Sequence, residues 1–167
     1  IDVECSLEVD ADREAIVQTI FMGYSPQAFG PLSAVTMGYD PAVEEMYAYD
    51  PAQAEALLTE AGWTDSDGDA IRDKDGQPLT LQVYAQTWGY LKEVAEMLQA
   101  QLKEVGVDLQ VQVVAYPAAV EAAKNNEHHL GAMVFSGSDP SILNSTYLSA
   151  NADGGFNWSK IRDSELD

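Results

Sequence analysis

The chain has 167 residues, of which 46% are hydrophobic, so it can bury a core and is not expected to be disordered. Eight Lys and Arg residues against 28 Asp and Glu residues give a net charge of -20, which disfavours nucleic acids and anionic membrane surfaces as partners. The single cysteine excludes an internal disulfide, and no apolar run reaches the length of about 18 residues that a membrane-spanning helix requires. The acidic residues are scattered along the chain, which favours a solvated, salt-adapted surface over an acidic patch for a cationic partner.

Residues 1–50 are predicted to hold an entry helix and a long ordered loop. Apolar residues keep helical spacing up to Phe21, with Asp12 placed as the N-cap and Gly23 as the terminator. Residues 24–50 contain three prolines and no sustained period, which is typical of a loop that crosses a surface. We therefore treat 1–50 as a unit that leads into an α/β domain at 51–167.

The second part of the chain opens with a helix and continues as alternating strands and helices. Asp50 and Pro51 suit the N-cap and first helical position of a helix that Gly62 ends. A half-buried strand is predicted at 79–85, an amphipathic helix at 90–105 and a second strand at 107–115. A strand, a crossover helix and a strand form a βαβ unit, so the two strands are expected to be parallel.

The remaining segments extend this unit into a βαβαβ sheet with flanking helices. A short helix is predicted at 118–124, and the continuous apolar run at 130–135 indicates a strand buried on both faces. A further helix is predicted at 142–148. The expected fold class is therefore α/β with a parallel-type sheet.

Ligands of such sheets bind beyond the carboxyl ends of the strands, and the segments that leave these ends carry rings, hydroxyls and a carboxylate suited to a small polar solute. The candidate ligand-binding residues are Trp88, Tyr116, Phe135, Ser136, Ser138 and Asp139. Trp88 and Tyr116 can be ligand platforms or ordinary core and surface aromatics. Asp139 can pair with a ligand's amino group, or cap the helix that follows Pro140.

An aspartate-rich segment precedes the first strand of the sheet. It spaces oxygen donors as calcium loops do, but it lacks the full spacing with a terminal bidentate glutamate. The candidate calcium ligands are Asp65, Asp67, Asp69 and Asp73. The alternative is a pair of glycine turns, at Gly68 and Gly76, on either side of a short hairpin. No cofactor other than calcium is suggested.

No catalytic residues are assigned, and the chain is not expected to be an enzyme. His128 and His129 are adjacent, so on a strand they point to opposite faces and cannot chelate one ion together. The segment 136–138 is not a Gly-x-Ser-x-Gly nucleophile turn, and no phosphate-cradling glycine loop is present.

Several short motifs, taken in their order along the chain, resemble the extracellular solute-binding protein family 5, which comprises the dipeptide, oligopeptide and nickel receptors of ABC importers. The motifs are Asp12-Arg13-Glu14-Ala15-Ile16-Val17, Gly30-Pro31-Leu32, Gly38-Tyr39-Asp40-Pro41, Tyr49-Asp50-Pro51, Ala61-Gly62-Trp63, Asp67-Gly68-Asp69 and Gln99-Ala100-Gln101-Leu102-Lys103-Glu104-Val105-Gly106-Val107. The resemblance extends over nearly the whole chain.

This resemblance implies one lobe of a periplasmic-binding-protein-like clamshell, the C-terminal one, with the other lobe and a final return segment outside this sequence. The family often carries an aromatic stretch that ends in Asp-Pro, here 135–140, and its acidic residue can meet the amino terminus of a peptide. Where this stretch usually has Gly-Trp, the chain has Val134 and Phe135. The resemblance implies that Asp139 meets the amino terminus of a bound peptide.

The implied function is capture of a small solute, with peptides favoured, by hinge closure between two lobes and delivery to the permease subunits of an ABC importer. The implied location is periplasmic or extracellular, with a lipid anchor upstream of Ile1 as one form of attachment. The alternative function is a calcium-stabilised structural or adhesion module, which depends on residues 65–73.

Overall fold

A computed structural model describes residues 10–46, 48–134 and 139–167. The entry helix α1 (Arg13–Ile20) begins where the sequence predicts, since the Asp12 carboxylate accepts a hydrogen bond from the Ala15 amide at 2.8 Å. The following loop contains a short helix, α2 (Val43–Met46), which the sequence analysis did not predict. This helix is a single turn started by Asp40, whose side chain accepts from the Ala42 amide.

Helix α3 (Pro51–Glu60) and the hairpin after it follow the predicted pattern. Asp50 caps α3 through the Gln53 amide at 2.9 Å, and Ala54 and Leu58 face the core. Strands β1 (Asp73–Lys74) and β2 (Gln77–Pro78) pair antiparallel around a turn at Asp75 and Gly76. Both turn residues have positive φ, 54° and 75°, as a tight hairpin turn requires.

The βαβ prediction is confirmed. Strand β3 (Thr80–Gln86), helix α4 (Leu91–Glu104) and strand β4 (Asp108–Val114) follow in that order, and β3 and β4 are parallel in a seven-residue register. Leu81, Val83 and Ala85 of β3 point into the core, as their alternation predicts. Helix α4 lies across the two strands and buries Ala95 and Leu102 against them.

Two predictions in the last third of the chain are wrong in detail. Helix α5 (Tyr116–Lys124) begins two residues before the predicted start, because Pro117 in its first turn needs no amide partner and has a helix-compatible φ. Of the strand expected at 130–135, the structure describes residues 130–134, and within them only β5 (Leu130–Gly131) pairs parallel to β3. Directly after β5 the Ala132 carbonyl accepts a hydrogen bond from the Gln86 side chain.

The sheet has the order β4-β3-β5 with all strands parallel, so β3 lies at its centre. The core is formed by leucine, valine and alanine side chains of α3, β3, α4 and β4, and α5 packs its alanines against β3. Helix α6 (Ile142–Tyr147), which the sequence predicts, and a short 3₁₀ helix (Ser149–Asn151) follow β5. Within the described ranges, no helix is both long and apolar enough to cross a membrane.

Candidate functional site

The carboxyl ends of the strands surround one open pocket of about 340 Å³. The parallel register places Gln86, the last residue of β3, level with Val114, the last residue of β4. Trp88 follows the first end and Tyr116 the second, while Val134 lies on the segment that leaves β5. Elements that are distant in sequence thus contribute side chains to a single cavity, as parallel strands are expected to do.

The pocket has largely aromatic and aliphatic walls. The Trp88 and Tyr116 side chains are 50% and 44% exposed, so both rings keep a face available to a ligand. Met133, Val134 and Phe156 complete the apolar lining, and Gln86 borders the cavity although only 1% of it is exposed. Such a surface can stack against rings or cover apolar side chains of a solute.

The structure places Trp88 and Tyr116 beside the same pocket, as expected from the sequence. None of the other four candidates is among the described residues that line it. Phe135, Ser136 and Ser138 lie outside the described residues. Asp139 is exposed and is not among the described residues that line the pocket. The roles of these six residues in binding a ligand stay predictions.

The alternative role for Asp139 needs correction. Helix α6 begins at Ile142 and its N-cap position is Ser141, so Asp139 does not occupy that position. The Asp139 carboxylate instead accepts from the Ser141 amide at 2.8 Å and closes a turn two residues before the cap. Hydrogen bonding from Ser141 lowers the pKa of Asp139 below its ordinary value, so the carboxylate is charged at neutral pH.

Four residues of the pocket were not among the predicted site residues: Gln86, Met133, Val134 and Phe156. Gln86 occupies an outward position in the strand alternation, yet it is only 1% exposed. Its one sequence signal is that it ends the strand immediately before Thr87 and Trp88. Met133 lies in the apolar run predicted as a buried strand, and Phe156 lies about 70 residues from Gln86 along the chain, with no pattern that links them.

The aspartate-rich segment brings three of its four predicted ligands together. Oxygen atoms of Asp65, Asp67 and Asp73 lie within 4.8 Å of one another, so these residues could hold a cation. Asp69 is not part of that group, and its carboxylate accepts from the Ile71 amide at 2.8 Å.

Hydrogen bonds within the segment explain this clustering without an ion. Asp65 accepts from the Gly68 amide at 2.7 Å and from the Ala70 amide at 3.1 Å. Asp73 accepts from both the hydroxyl and the amide of Ser66, and these bonds lower the pKa of Asp73. These are the turn bonds that the hairpin alternative requires, and the binding of a cation by this segment stays a prediction.

Comparison with known proteins gives a family match over residues 10–157, to the model described as bacterial extracellular solute-binding proteins, family 5 Middle. The chain is 31% identical over 134 residues to the oligopeptide-binding protein AppA of Bacillus subtilis, covering 79% of this chain and 25% of the relative. It is 29% identical over 163 residues to the dipeptide-binding protein of Escherichia coli, covering 96% and 29%.

The fold is similar to that of the solved Bacillus subtilis AppA structure, which holds a nonapeptide. The two superpose with a TM-score of 0.83 at 27% sequence identity, over 98% of this chain and 33% of the other. The chain therefore spans about a quarter to a third of the length of the relatives that it matches.

Proposed function

The chain belongs to the bacterial extracellular solute-binding proteins of family 5, and on that premise we propose that it forms one lobe of a receptor that captures peptides or related small solutes for an ABC importer. The family consists of binding proteins, so the chemistry proposed is recognition and not catalysis. The periplasm or the cell exterior is the compartment in which such a receptor works.

The observation that carries this proposal is the open aromatic pocket at the strand ends. Trp88 and Tyr116 each keep about half of their surface exposed beside a cavity of about 340 Å³, and covering exposed apolar ring surface is favourable. A second surface that closes over the pocket would cover them. The relatives named for oligopeptides and dipeptides support a peptide as the solute.

The proposed mechanism is hinge closure. The solute first contacts the pocket of one lobe, and the second lobe closes because only the closed state makes contacts from both sides. In this scheme Trp88, Tyr116 and Phe135 cover apolar groups of the solute, and Ser136 and Ser138 donate hydrogen bonds. Asp139, which is ionised at neutral pH, forms an ion pair with the amino group of the solute.

The closed receptor then docks on the permease subunits of the importer, and a lipid anchor at its amino terminus would keep it near them. Radiolabelled palmitate incorporation in cells tests the anchor. Loss of peptide-dependent uptake on deletion of the receptor, with restoration by the wild-type gene, tests the transporter partnership.

Calorimetry with a peptide library tests the binding function. A receptor that contains this lobe and a second one is expected to bind peptide tightly, and the 167-residue chain to bind it weakly or not at all. Trp88→Ala should weaken binding, whereas Tyr24→Ala, which removes a ring that is 89% exposed and does not line the pocket, should not. Equal peptide affinity of the single lobe and the two-lobed receptor would contradict the mechanism.

A further inference from the structure

Gln86, at the end of β3, links the pocket wall to the segment that follows β5. Its side chain is 1% exposed, and both polar atoms of its amide are used. Nε2 donates to the Ala132 carbonyl at 3.2 Å, and Oε1 accepts from the Trp88 indole Nε1 at 2.6 Å. One amide therefore connects the end of β3, the segment after β5 and the pocket's largest ring.

The two partners fix the orientation of this amide. A main-chain carbonyl only accepts hydrogen bonds and an indole N–H only donates one, so the Gln86 side chain satisfies both in a single orientation. Because the amide is buried, losing either bond would leave a polar group without water or a partner, which costs more than a typical hydrogen bond contributes. The arrangement therefore resists rotation of the Gln86 side chain.

The indole needs such an attachment because packing holds only part of it. Trp88 is 50% exposed and lies on the connection between β3 and α4. This connection turns through two successive positive φ angles, 68° at Gly89 and 63° at Tyr90. A half-exposed side chain on a turn keeps rotamer freedom that a hydrogen bond from its ring nitrogen removes.

We infer that Gln86 is a positioning residue, which holds the Trp88 indole in the orientation that the pocket presents to the solute. This inference rests on the proposed function for its effect on affinity, but its structural part concerns the free protein. Gln86 does not have to touch the solute. It restricts the conformations of the Trp88 side chain in the free protein, so less conformational entropy is lost when the solute binds.

Indole NMR of the 167-residue chain tests the structural part without a ligand. The three tryptophans give three indole N–H signals, and Trp88→Phe identifies the Trp88 signal by its loss. In Gln86→Met this signal is expected to move and to exchange faster with solvent, while those of Trp63 and Trp158 stay in place. An unchanged Trp88 signal in Gln86→Met would overturn the inference.

Affinity of the two-lobed receptor for a peptide tests the functional part. Gln86→Met is expected to weaken binding about five- to tenfold, in line with the cost of ordering one large side chain on binding. Trp88→Phe, which keeps a ring but lacks the indole N–H, should produce a similar loss. The double variant should be little weaker than either single one, because each single variant already removes the hydrogen bond between Gln86 and Trp88.

Gln86→Glu provides a rescue that is followed by pH titration of one variant, with the wild type titrated as the control. A neutral carboxyl offers one donor to Ala132 and one acceptor to Trp88, as the amide does, whereas a carboxylate offers no donor. The Trp88 signal and the peptide affinity are measured for this variant and for the wild type at the same series of pH values. As the pH falls, the difference between the two proteins should become smaller. If Gln86→Met does not fold, this titration makes the same test. A Gln86→Glu protein whose Trp88 signal and peptide affinity do not recover at low pH would overturn the inference.

The outcomes separate this inference from the proposed function. If Trp88→Ala leaves peptide affinity unchanged, or if the receptor binds no peptide, the proposed function of the pocket fails. If Trp88→Ala weakens binding while Gln86→Met alters neither affinity nor the indole signal, only the positioning role fails.

Discussion

Asp10 gives the sharpest stability prediction, because it is a buried carboxyl group. Its side chain is 1% exposed, and its Oδ2 atom has no hydrogen-bond partner in the part of the chain that the structure describes. Burial, followed by repulsion from Glu104 and Glu55, raises the pKa of Asp10 from 3.8 to about 6. Asp10→Asn keeps the shape of the side chain and removes the charge.

The raised pKa determines the sign and the upper limit of the change in the free energy of unfolding that ionisation of Asp10 causes. A carboxyl whose pKa is higher in the folded state binds a proton more tightly there, so stability is highest below about pH 4 and falls until about pH 6. Above that pH the ionised group costs up to about 3 kcal/mol, the equivalent of the shift at 1.36 kcal/mol per pH unit. Relaxation around the charge reduces this, so we expect Asp10→Asn to gain about 1–3 kcal/mol at pH 8.

Urea unfolding at pH 4 and pH 8 checks this prediction. The gain of Asp10→Asn should be large at pH 8 and small at pH 4, where the wild-type group is protonated. Glu14→Gln is the matched control, since it removes one exposed charge nearby and should change stability by no more than about 0.5 kcal/mol. An Asp10→Asn protein that is no more stable than the wild type at pH 8 would refute the reasoning.

Two further predictions concern the hairpin and the segment before it. Arg72 donates to the carbonyls of Val105 and Trp63 and to the Thr59 hydroxyl. Arg72→Met should therefore lower the free energy of unfolding by about 1–3 kcal/mol, while Lys92→Met, which breaks only an exposed ion pair with Glu96, should change it little in the same urea assay. Because the carboxylates around Asp65 are hydrogen-bonded within their own segment, calcium at about 1 mM should raise the melting temperature no more than magnesium does at equal ionic strength. A larger shift with calcium, abolished by Asp65→Asn, would contradict that account and favour the calcium-stabilised alternative.

Local signals account for most of the secondary structure. Helices α1 and α3 begin where Asp12 and Asp50 provide caps, because a cap depends only on a side chain and the amide three residues later. The alternation from Leu79 to Ala85 located β3, since the two faces of a strand differ in burial. Pairing of β3 with β4 also followed from the sequence, because a helical crossover makes two neighbouring strands parallel.

The errors occur where a distant part of the chain decides the local structure. The apolar run after His129 suggested a long strand, but its described part, residues 130–134, pairs over only two residues, and the Gln86 side chain binds the Ala132 carbonyl beyond them. Composition alone contains no information about that contact, which joins residues 46 positions apart.

The sequence by itself determined that this is an acidic α/β chain with a βαβ core, and its motifs indicated the family. It also placed Trp88 and Tyr116 near one edge of the sheet, because the carboxyl ends of parallel strands lie on the same side. Only the tertiary structure added Gln86, Met133, Val134 and Phe156 to the pocket and assigned Asp139 to a turn beside helix α6. The physical reason is that periodicity and caps report contacts within a few residues, whereas a pocket is formed by side chains that meet only after the sheet has assembled.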